Sequence, residues 1–194
     1  MSRTASVTRT TKETDVRVEI DLDGAGRAEA DTGVPFFDHM LQQLGTHAGW
    51  GLSVTCKGDL QVDGHHTVED CGISIGQALT EALGDKGGVR RFASITVPLD
   101  EAAVEVVLDL AGRTFVVYEV QVPYETIDGF DTGLLEDFVR AFAQAASLTI
   151  HVRLRSGRSP HHICEAAFKA MAKALGDACA PTGRGDVPST KGAL

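Results

Sequence analysis

The hydrophobic and polar positions predict strands and helices in alternation, and therefore an α+β chain. From Val16 to Leu22 apolar and polar side chains alternate, which is typical of a half-buried strand. From Val34 to Leu44 the apolar positions follow helical spacing, with Pro35 near the helix start. Residues 1–12 are polar, basic and rich in threonine, and we expect a polar arm there. The same criteria predict strands at 52–56, 58–63, 94–98, 103–110, 114–120 and 148–154, and helices at about 66–83, 134–146 and 162–179.

A motif of two adjacent histidines followed by a glutamate occurs twice and marks an internal repeat. His65-His66-Thr-Val-Glu69 and His161-His162-Ile-Cys-Glu165 lie 96 residues apart. The same spacing aligns the apolar positions of the two predicted helices, and a weaker match aligns His39 with Asp137. We therefore expect an internal duplication: two pseudo-symmetric α+β halves, each a sheet with helices on one face. The expected halves are roughly 9–90 and 91–185, and the open sheet faces suggest oligomerisation.

Length, composition and charge indicate a single globular domain without a membrane span. Its 194 residues, 43% apolar and 23% charged, suit a single globular domain that ends in a Ser-Thr-Lys tail. No apolar run reaches the ~18 residues of a membrane span, and the N-terminus lacks the apolar core of a signal peptide. A net charge of −9 gives no global attraction for nucleic acid. The four cysteines form no close pair, which indicates reduced thiols and a cytoplasmic location.

A histidine and a glutamate at the start of a helix can hold a metal ion. Side chains three or four positions apart share a helix face, so each motif can present one histidine and its glutamate to one ion. The adjacent histidine points about 100° away and can serve a second ion or another partner. With His39 and His151 added, the chain offers two sets of three histidines and one carboxylate, which suit Mn, Fe, Ni or Zn. The candidate metal ligands are His39, His65, His66, Glu69, His151, His161, His162 and Glu165.

Each of these candidates also has a structural explanation. Paired histidines can simply cap helices, and a duplication would copy both caps. His39 follows Asp38 at a predicted helix start, where it can act as a cap. His151 lies within an apolar strand, where a histidine is often a hydrogen-bonded core group.

A second group of candidates can bind phosphate. Arg91, Arg113 and Lys191 each lie beside glycine or hydroxyl residues, and phosphate sites combine such cations with hydroxyl and backbone N–H donors. Lys169 follows Glu165 by one helical turn. It either shares the metal-facing side of its helix or forms an i,i+4 ion pair with that glutamate. Basic residues beside a metal site suggest a phosphorylated substrate.

These motifs together resemble the imidazoleglycerol-phosphate dehydratase family of histidine biosynthesis, in its stand-alone form. The matching segments run in order from about residue 9 to the C-terminus: Thr10–Thr14, Phe36–Leu41, Gly58–Asp70, Pro98–Glu101, Gly112–Arg113, His161–Lys169 and Pro188–Gly192. The resemblance implies a duplicated α+β fold of the ribosomal protein S5 domain 2-like class. It also implies two Mn²⁺ per subunit and a homo-oligomer, a 24-mer with active sites between subunits.

The resemblance further implies a hydro-lyase that converts D-erythro-imidazole glycerol phosphate into imidazole acetol phosphate and water. The metals would hold the imidazole ring as an imidazolate, which expels the hydroxyl through a diazafulvene-like intermediate. By motif Glu13 is the expected acid or base, although without the family it would be an ordinary surface glutamate. The implied catalytic residues are Glu13, His66, Glu69, His162 and Glu165. The implied substrate-binding residues are Glu13, Gln43, His47, Arg91, Arg113, Lys169, Ser189, Thr190 and Lys191.

Two questions stay open from the sequence. The last metal ligand is His151, His47 or Asp137, and Asp137 stands where family members carry histidine or glutamate. The competing functions are a metal-dependent hydrolase of a small phosphorylated substrate and a non-enzymatic metal-storage assembly. A storage assembly has no need of the phosphate-binding candidates, so their substitution would leave its function intact.

Overall fold

The same order of elements occurs twice along the chain, with two short extra strands in the second half. The computed structural model describes residues 2–123 and 126–192. The first half comprises β1 (Thr4–Thr10), β2 (Thr14–Asp21), β3 (Ala28–Asp31), α1 (Pro35–Ala48), β4 (Gly51–Gly58) and α2 (His65–Leu83). The second comprises β5 (Phe92–Leu99), β6 (Ala102–Asp109), β7 (Phe115–Glu119), the short strands β8 (Thr126–Ile127) and β9 (Phe130–Asp131), then α3 (Leu134–Ala145), β10 (Thr149–Ser156) and α4 (Pro160–Cys179).

The two four-stranded sheets share one topology, which confirms the predicted duplicated α+β fold. Their strand orders are β1-β2-β4-β3 and β5-β6-β10-β7. In each sheet the final pair is parallel and the other pairs are antiparallel. The first hairpins also share a register, since Thr4 pairs with Asp21 and Phe92 pairs with Asp109. The hairpins are therefore offset by 88 residues throughout.

Helices cover one face of each sheet, as predicted, and they join the two halves through one core. Alternate residues of the central strands are buried, such as Val16 and Val18 in β2, because one sheet face packs on helices. Helix α1 packs against α4, and α2 packs against α3, so each helix pair crosses between the halves. Close approach requires glycine here: a Cβ atom at Gly76 of α2 would lie 2.6 Å from the carbonyl oxygen of Phe142.

Two sequence predictions were wrong. The expected polar arm contains strand β1, an edge strand in which only Val7 is buried, so its exposed threonines conceal the strand pattern. The strand expected at 58–63 is a turn after β4, where the Val62 N–H donates to the Asp59 carbonyl oxygen. Asp-Leu and Asp-Gly pairs in this segment favour turns over strands. Across 2–123 and 126–192 no helix is both long enough and apolar enough to cross a membrane.

Candidate active site

The first histidine of the second motif meets a histidine from α1. His161 is the second residue of α4, and Glu165 lies one turn later on the same face. The Nε2 atoms of His39 and His161 lie 3.4 and 3.0 Å from Oε2 of Glu165. One ligand atom from each of the three residues lies within 4.8 Å of the other two. This group, cluster A (His39, His161 and Glu165), has a donor set that fits a divalent ion of the Mn, Fe or Zn type.

The Glu165 carboxylate is held ionised. Burial opposes its charge, but hydrogen bonds from Lys169, His161 and His39 lower its pKa to about 2. The Lys169 ammonium lies 2.7 Å from Oε1, so the i,i+4 ion pair weighed from the sequence is present. The carboxylate is thus available as an anionic ligand at neutral pH, and the lysine lies beside the metal candidate.

The first motif builds a related group at the start of α2. The His65 Nδ1 lies 3.4 Å from Oδ2 of Asp137 on α3, and its Nε2 lies 4.0 Å from Oε2 of Glu69. Asp137 therefore occupies the place that the repeat predicts, opposite the motif as His39 is in the other half. This group, cluster B (His65, Glu69 and Asp137), is looser and contains two carboxylates where cluster A contains one.

The second histidine of each pair points away from its cluster to a separate acid. The Nδ1 of His66 lies 3.1 Å from Oδ2 of Asp59, and the Nδ1 of His162 lies 2.7 Å from Oε2 of Glu101. These hydrogen bonds raise the pKa of both histidines. In each ring the carboxylate occupies Nδ1, which leaves Nε2 as the nitrogen that can bind a metal ion. A carboxylate hydrogen-bonded to Nδ1 commonly orients a metal-binding imidazole in this way.

Two glutamates occupy equivalent hairpin turns but differ in their surroundings. Glu101, in the β5–β6 turn, accepts hydrogen bonds from His162 and from the Ser159 and Arg158 N–H groups, which lower its pKa to about 2. Glu13, in the β1–β2 turn, is exposed, and its carboxylate has no hydrogen-bond partner among the described residues. In the first half Asp59 orients the histidine, so Glu13 is left free.

A polar strip continues from cluster A along the contact between α1 and α4. Gln43 and His47 follow His39 at one-turn intervals, and the His47 Nε2 lies 2.9 Å from the Gln43 amide oxygen. Burial lowers the pKa of His47, and the charges of Lys169 and Lys173 lower it further. The structure thus brings three substrate-binding candidates, Gln43, His47 and Lys169, beside one metal candidate.

Arg91 contacts the C-terminal tail at the end of the second sheet opposite the β5–β6 turn. The Arg91 guanidinium forms two hydrogen bonds to the Asp109 carboxylate, at 2.6 and 3.1 Å, and donates to the Pro188 carbonyl oxygen at 2.7 Å. Arg91 thereby holds the tail that carries Ser189, Thr190 and Lys191. Arg113 is exposed in the β6–β7 connection.

His151 lies apart from both clusters in this chain. Its neighbours Ile150 and Val152 are buried under the helices, so its side chain lies on the opposite face of the sheet. There its Nδ1 lies 3.1 Å from an Arg153 nitrogen. Among the three residues considered for the last ligand, Asp137 is the one that lies beside a motif histidine.

Sequence reasoning missed the acids that orient the second histidines. Asp59 and Glu101 both lie in the matching segments quoted above, but no role was assigned to them. The signal that was present is positional: Glu101 stands 88 residues after Glu13, at the spacing that also relates the two hairpins. That spacing becomes visible only once β1 is identified as a strand.

Comparison with known proteins identifies close relatives along the whole chain. The family model described as imidazoleglycerol-phosphate dehydratase matches residues 32–175. Proteins of that name from Cereibacter sphaeroides and Frankia casuarinae are each 52% identical to this chain, over 194 and 195 residues, and are covered along their full length. The crystal structure of that dehydratase from Staphylococcus aureus aligns with a TM-score of 0.83 at 36% identity, covering 92% of this chain and 99% of that one. The corresponding structure from Pyrococcus furiosus aligns with a TM-score of 0.84 at 37% identity, covering 97% of this chain and 100% of that one.

Proposed function

The chain belongs to the imidazoleglycerol-phosphate dehydratase family, and on that premise we propose how its own residues perform the reaction. The enzyme is a hydro-lyase of histidine biosynthesis that removes water from imidazole glycerol phosphate and forms imidazole acetol phosphate. A hydroxyl group next to the imidazole ring must leave, and a weakly acidic C–H proton must be removed. The site therefore needs charge stabilisation at the ring and a positioned base on the side chain.

We propose two Mn²⁺ ions per chain, one at each cluster. His39, His161 and Glu165 would hold one ion, and His65, Glu69 and Asp137 the other. Imidazole with carboxylate and without thiolate suits Mn²⁺ among the transition metals. When bound, the ions supply positive charge that stabilises an anionic imidazole ring and the departing hydroxyl.

The second histidines support a site shared between subunits. His66 and His162 point away from the clusters of their own chain, and each has Nδ1 fixed by a carboxylate. We assign their Nε2 atoms to ions held mainly by neighbouring subunits, in a homo-oligomer of up to 24 chains. This arrangement explains why each motif carries two histidines when one suffices for the local cluster. His151 has an arginine rather than a carboxylate beside its Nδ1, so we do not assign it to a metal.

We assign the acid or base role to Glu13 rather than to its equivalent Glu101. A base must be free to accept a proton, and the Glu13 carboxylate is exposed and unpaired among the described residues. Glu101 instead accepts three hydrogen bonds, and a pKa of about 2 makes it a poor base at neutral pH. His66, Glu69, His162 and Glu165 contribute to catalysis through the ions.

The remaining candidates are assigned to the substrate. Arg113 and the tail residues Ser189, Thr190 and Lys191 present a guanidinium, hydroxyls and an ammonium, the groups that bind phosphate. Arg91 holds the tail in place, and Lys169, Gln43 and His47 lie beside cluster A for contact with the rest of the substrate. We also propose a cytoplasmic location, because all four cysteines are free thiols.

The observation that carries this proposal is the repetition of a histidine–glutamate pair that faces a third ligand from the other half. The test compares Glu13→Gln with His161→Ala. Glu13→Gln should keep two Mn²⁺ per chain and the native assembly but lose turnover about 10²- to 10⁴-fold. His161→Ala should lose metal and assembly together. Near-normal turnover in Glu13→Gln, or full metal content in His161→Ala, contradicts the corresponding assignment.

A further inference from the structure

The two halves differ in the buried residues beneath the Glu13 turn. Asp70 on α2 is only 6% exposed, and its carboxylate accepts hydrogen bonds from the Thr14 hydroxyl at 2.5 Å and from the Arg9 Nε at 2.9 Å. The repeat places Ala166 at the position of Asp70 and Ala102 at that of Thr14. Both alanines are buried as well. At these two positions the second half therefore has buried methyl groups in place of the polar pair.

Packing alone does not explain why the first half has a polar group of Asp70, Thr14 and Arg9 at this place. Burying a carboxylate destabilises a fold unless hydrogen bonds and a cation compensate, and an apolar replacement is often neutral or stabilising. The second half contains that apolar replacement: its position for Arg9 is occupied by Val97. The first half therefore retains a charged network at a place where this same fold works without one.

The network continues directly into the turn that carries Glu13. The Thr11 hydroxyl accepts hydrogen bonds from the N–H groups of Glu13 at 3.1 Å and Thr14 at 3.0 Å. It also lies 3.2 Å from the Thr14 hydroxyl, which donates to Asp70. On the other side, the Glu13 carbonyl oxygen accepts from the Asp59 N–H at 3.0 Å. The Glu13 backbone is thereby tied to α2 through a chain of hydrogen bonds.

We propose that Asp70, with Thr14 and Arg9, is a positioning group for the acid–base residue Glu13. The inference rests on the proposed function, which gives Glu13 its role. The Glu13 side chain has no hydrogen-bond partner of its own among the described residues, so its position depends on the backbone of its turn. Asp70 directly follows the metal candidate Glu69 in α2. It therefore fixes the base relative to the helix that carries His65 and Glu69.

The positioning group explains a difference between the equivalent turns. Glu101 needs no such support, because three hydrogen bonds to its own carboxylate hold it. Glu13 must keep its carboxylate free for a proton, so the support acts one residue away, through Thr14. Misplacing a catalytic group by about 1 Å can cost roughly 10²-fold in rate, which sets the scale of the expected effect.

The test replaces the three polar residues by the apolar residues found at the equivalent positions of the second half. The triple variant Arg9→Val, Thr14→Ala, Asp70→Ala copies Val97, Ala102 and Ala166, so we expect it to fold. In the manganese-loaded oligomer, kcat should fall about 100-fold while KM, two Mn²⁺ per chain and the assembly are kept. The matched control is Thr10→Ala, which removes an exposed hydroxyl bond to Asp15 in the same hairpin and should leave kcat unchanged.

Two further comparisons separate positioning from a structural role. Thr14→Ser keeps the hydroxyl and should retain most of kcat, whereas Thr14→Val should not. In a Glu13→Gln background the triple substitution should lower kcat only slightly further, because it acts through Glu13.

A normal kcat in the triple variant, a loss of kcat accompanied by loss of metal or assembly, or a full additional loss in the Glu13→Gln background each overturn the proposal. Should Glu13→Gln itself retain turnover, the proposed acid–base role fails first. That result is distinct from failure of the positioning claim alone.

Discussion

Arg91 supports both the fold and the tail of the proposed phosphate site, so replacing it by methionine tests both roles in one variant. Its guanidinium forms a two-pronged ion pair with Asp109 and also binds the Pro188 carbonyl oxygen of the tail. The Arg91 and Asp109 side chains are 14% and 18% exposed, so solvent screens the pair only weakly. Arg91→Met leaves Asp109 without this partner and releases one anchor of the tail.

The expected cost follows from these contacts. Each of these hydrogen bonds involves the charged guanidinium, and hydrogen bonds to a charged group contribute about 1.5–3 kcal/mol. Partial exposure of the side chains lowers the sum, so Arg91→Met should lower the free energy of unfolding by about 2–4 kcal/mol. Because the tail carries Ser189 and Lys191, we also expect a higher KM for the phosphorylated substrate, with a smaller effect on kcat.

The assay combines urea unfolding, hydrogen exchange of residues 186–192 and steady-state kinetics. The matched control is Arg140→Met, which removes an exposed i,i+4 ion pair with Glu136 and should change stability by less than ~0.5 kcal/mol. A double-mutant cycle with Asp109→Asn isolates the energy of the ion pair. A loss below ~1 kcal/mol with an unchanged exchange rate in the tail would refute the assignment of Arg91 as the anchor.

Two other predictions concern the second half and the helix contact. The pKa of Glu101 is lowered from its ordinary value of 4.5 to about 2, so this carboxylate stabilises the fold above pH 4.5 and that contribution disappears as the pH falls towards 2. Glu101→Gln should lower the urea midpoint at pH 7, and the difference from the parent should shrink below pH 4.5; a pH-independent difference would contradict this. Gly76→Ala should destabilise the protein by about 1–2 kcal/mol in urea unfolding, because its Cβ would lie 2.6 Å from the Phe142 oxygen and 2.7 Å from the Ala145 Cβ, which outweighs the gain in helix propensity. Gly185→Ala, with open space around it, is the control, and equal stability of the two variants would count against the close packing of α2 on α3.

The repeat was the part of the fold most accessible from the sequence. The spacing of the His-His-x-x-Glu motifs placed α2 and α4 to within a residue or two, and the weaker match of His39 with Asp137 placed Asp137 opposite His65. Each helix also has a local boundary signal, since Gly84 follows α2 and Ser159-Pro160 begins α4. Strand β1 was not, because Val7 is its one buried apolar residue among polar and small neighbours, which leaves only a weak alternation.

The acids around the site could not be assigned for a different reason. The pairing of Glu101 with His162 joins residues 61 positions apart, and the pairing of Arg91 with Asp109 depends on strand register. Neither contact leaves a periodic signal in the sequence. The residue type of His151 suits a metal site, and the alternation of β10 places its side chain on the sheet face away from both clusters of this chain.

The most direct test of the account is a metal titration of the dehydration reaction. The protein is stripped with a chelator, Mn²⁺ is added back in steps, and loss of water from imidazole glycerol phosphate is followed together with any release of inorganic phosphate. We expect no activity in the stripped protein, recovery that saturates near two Mn²⁺ per chain, and no phosphate release. Full activity without metal, saturation at one ion per chain, or hydrolysis of the phosphate ester would contradict it.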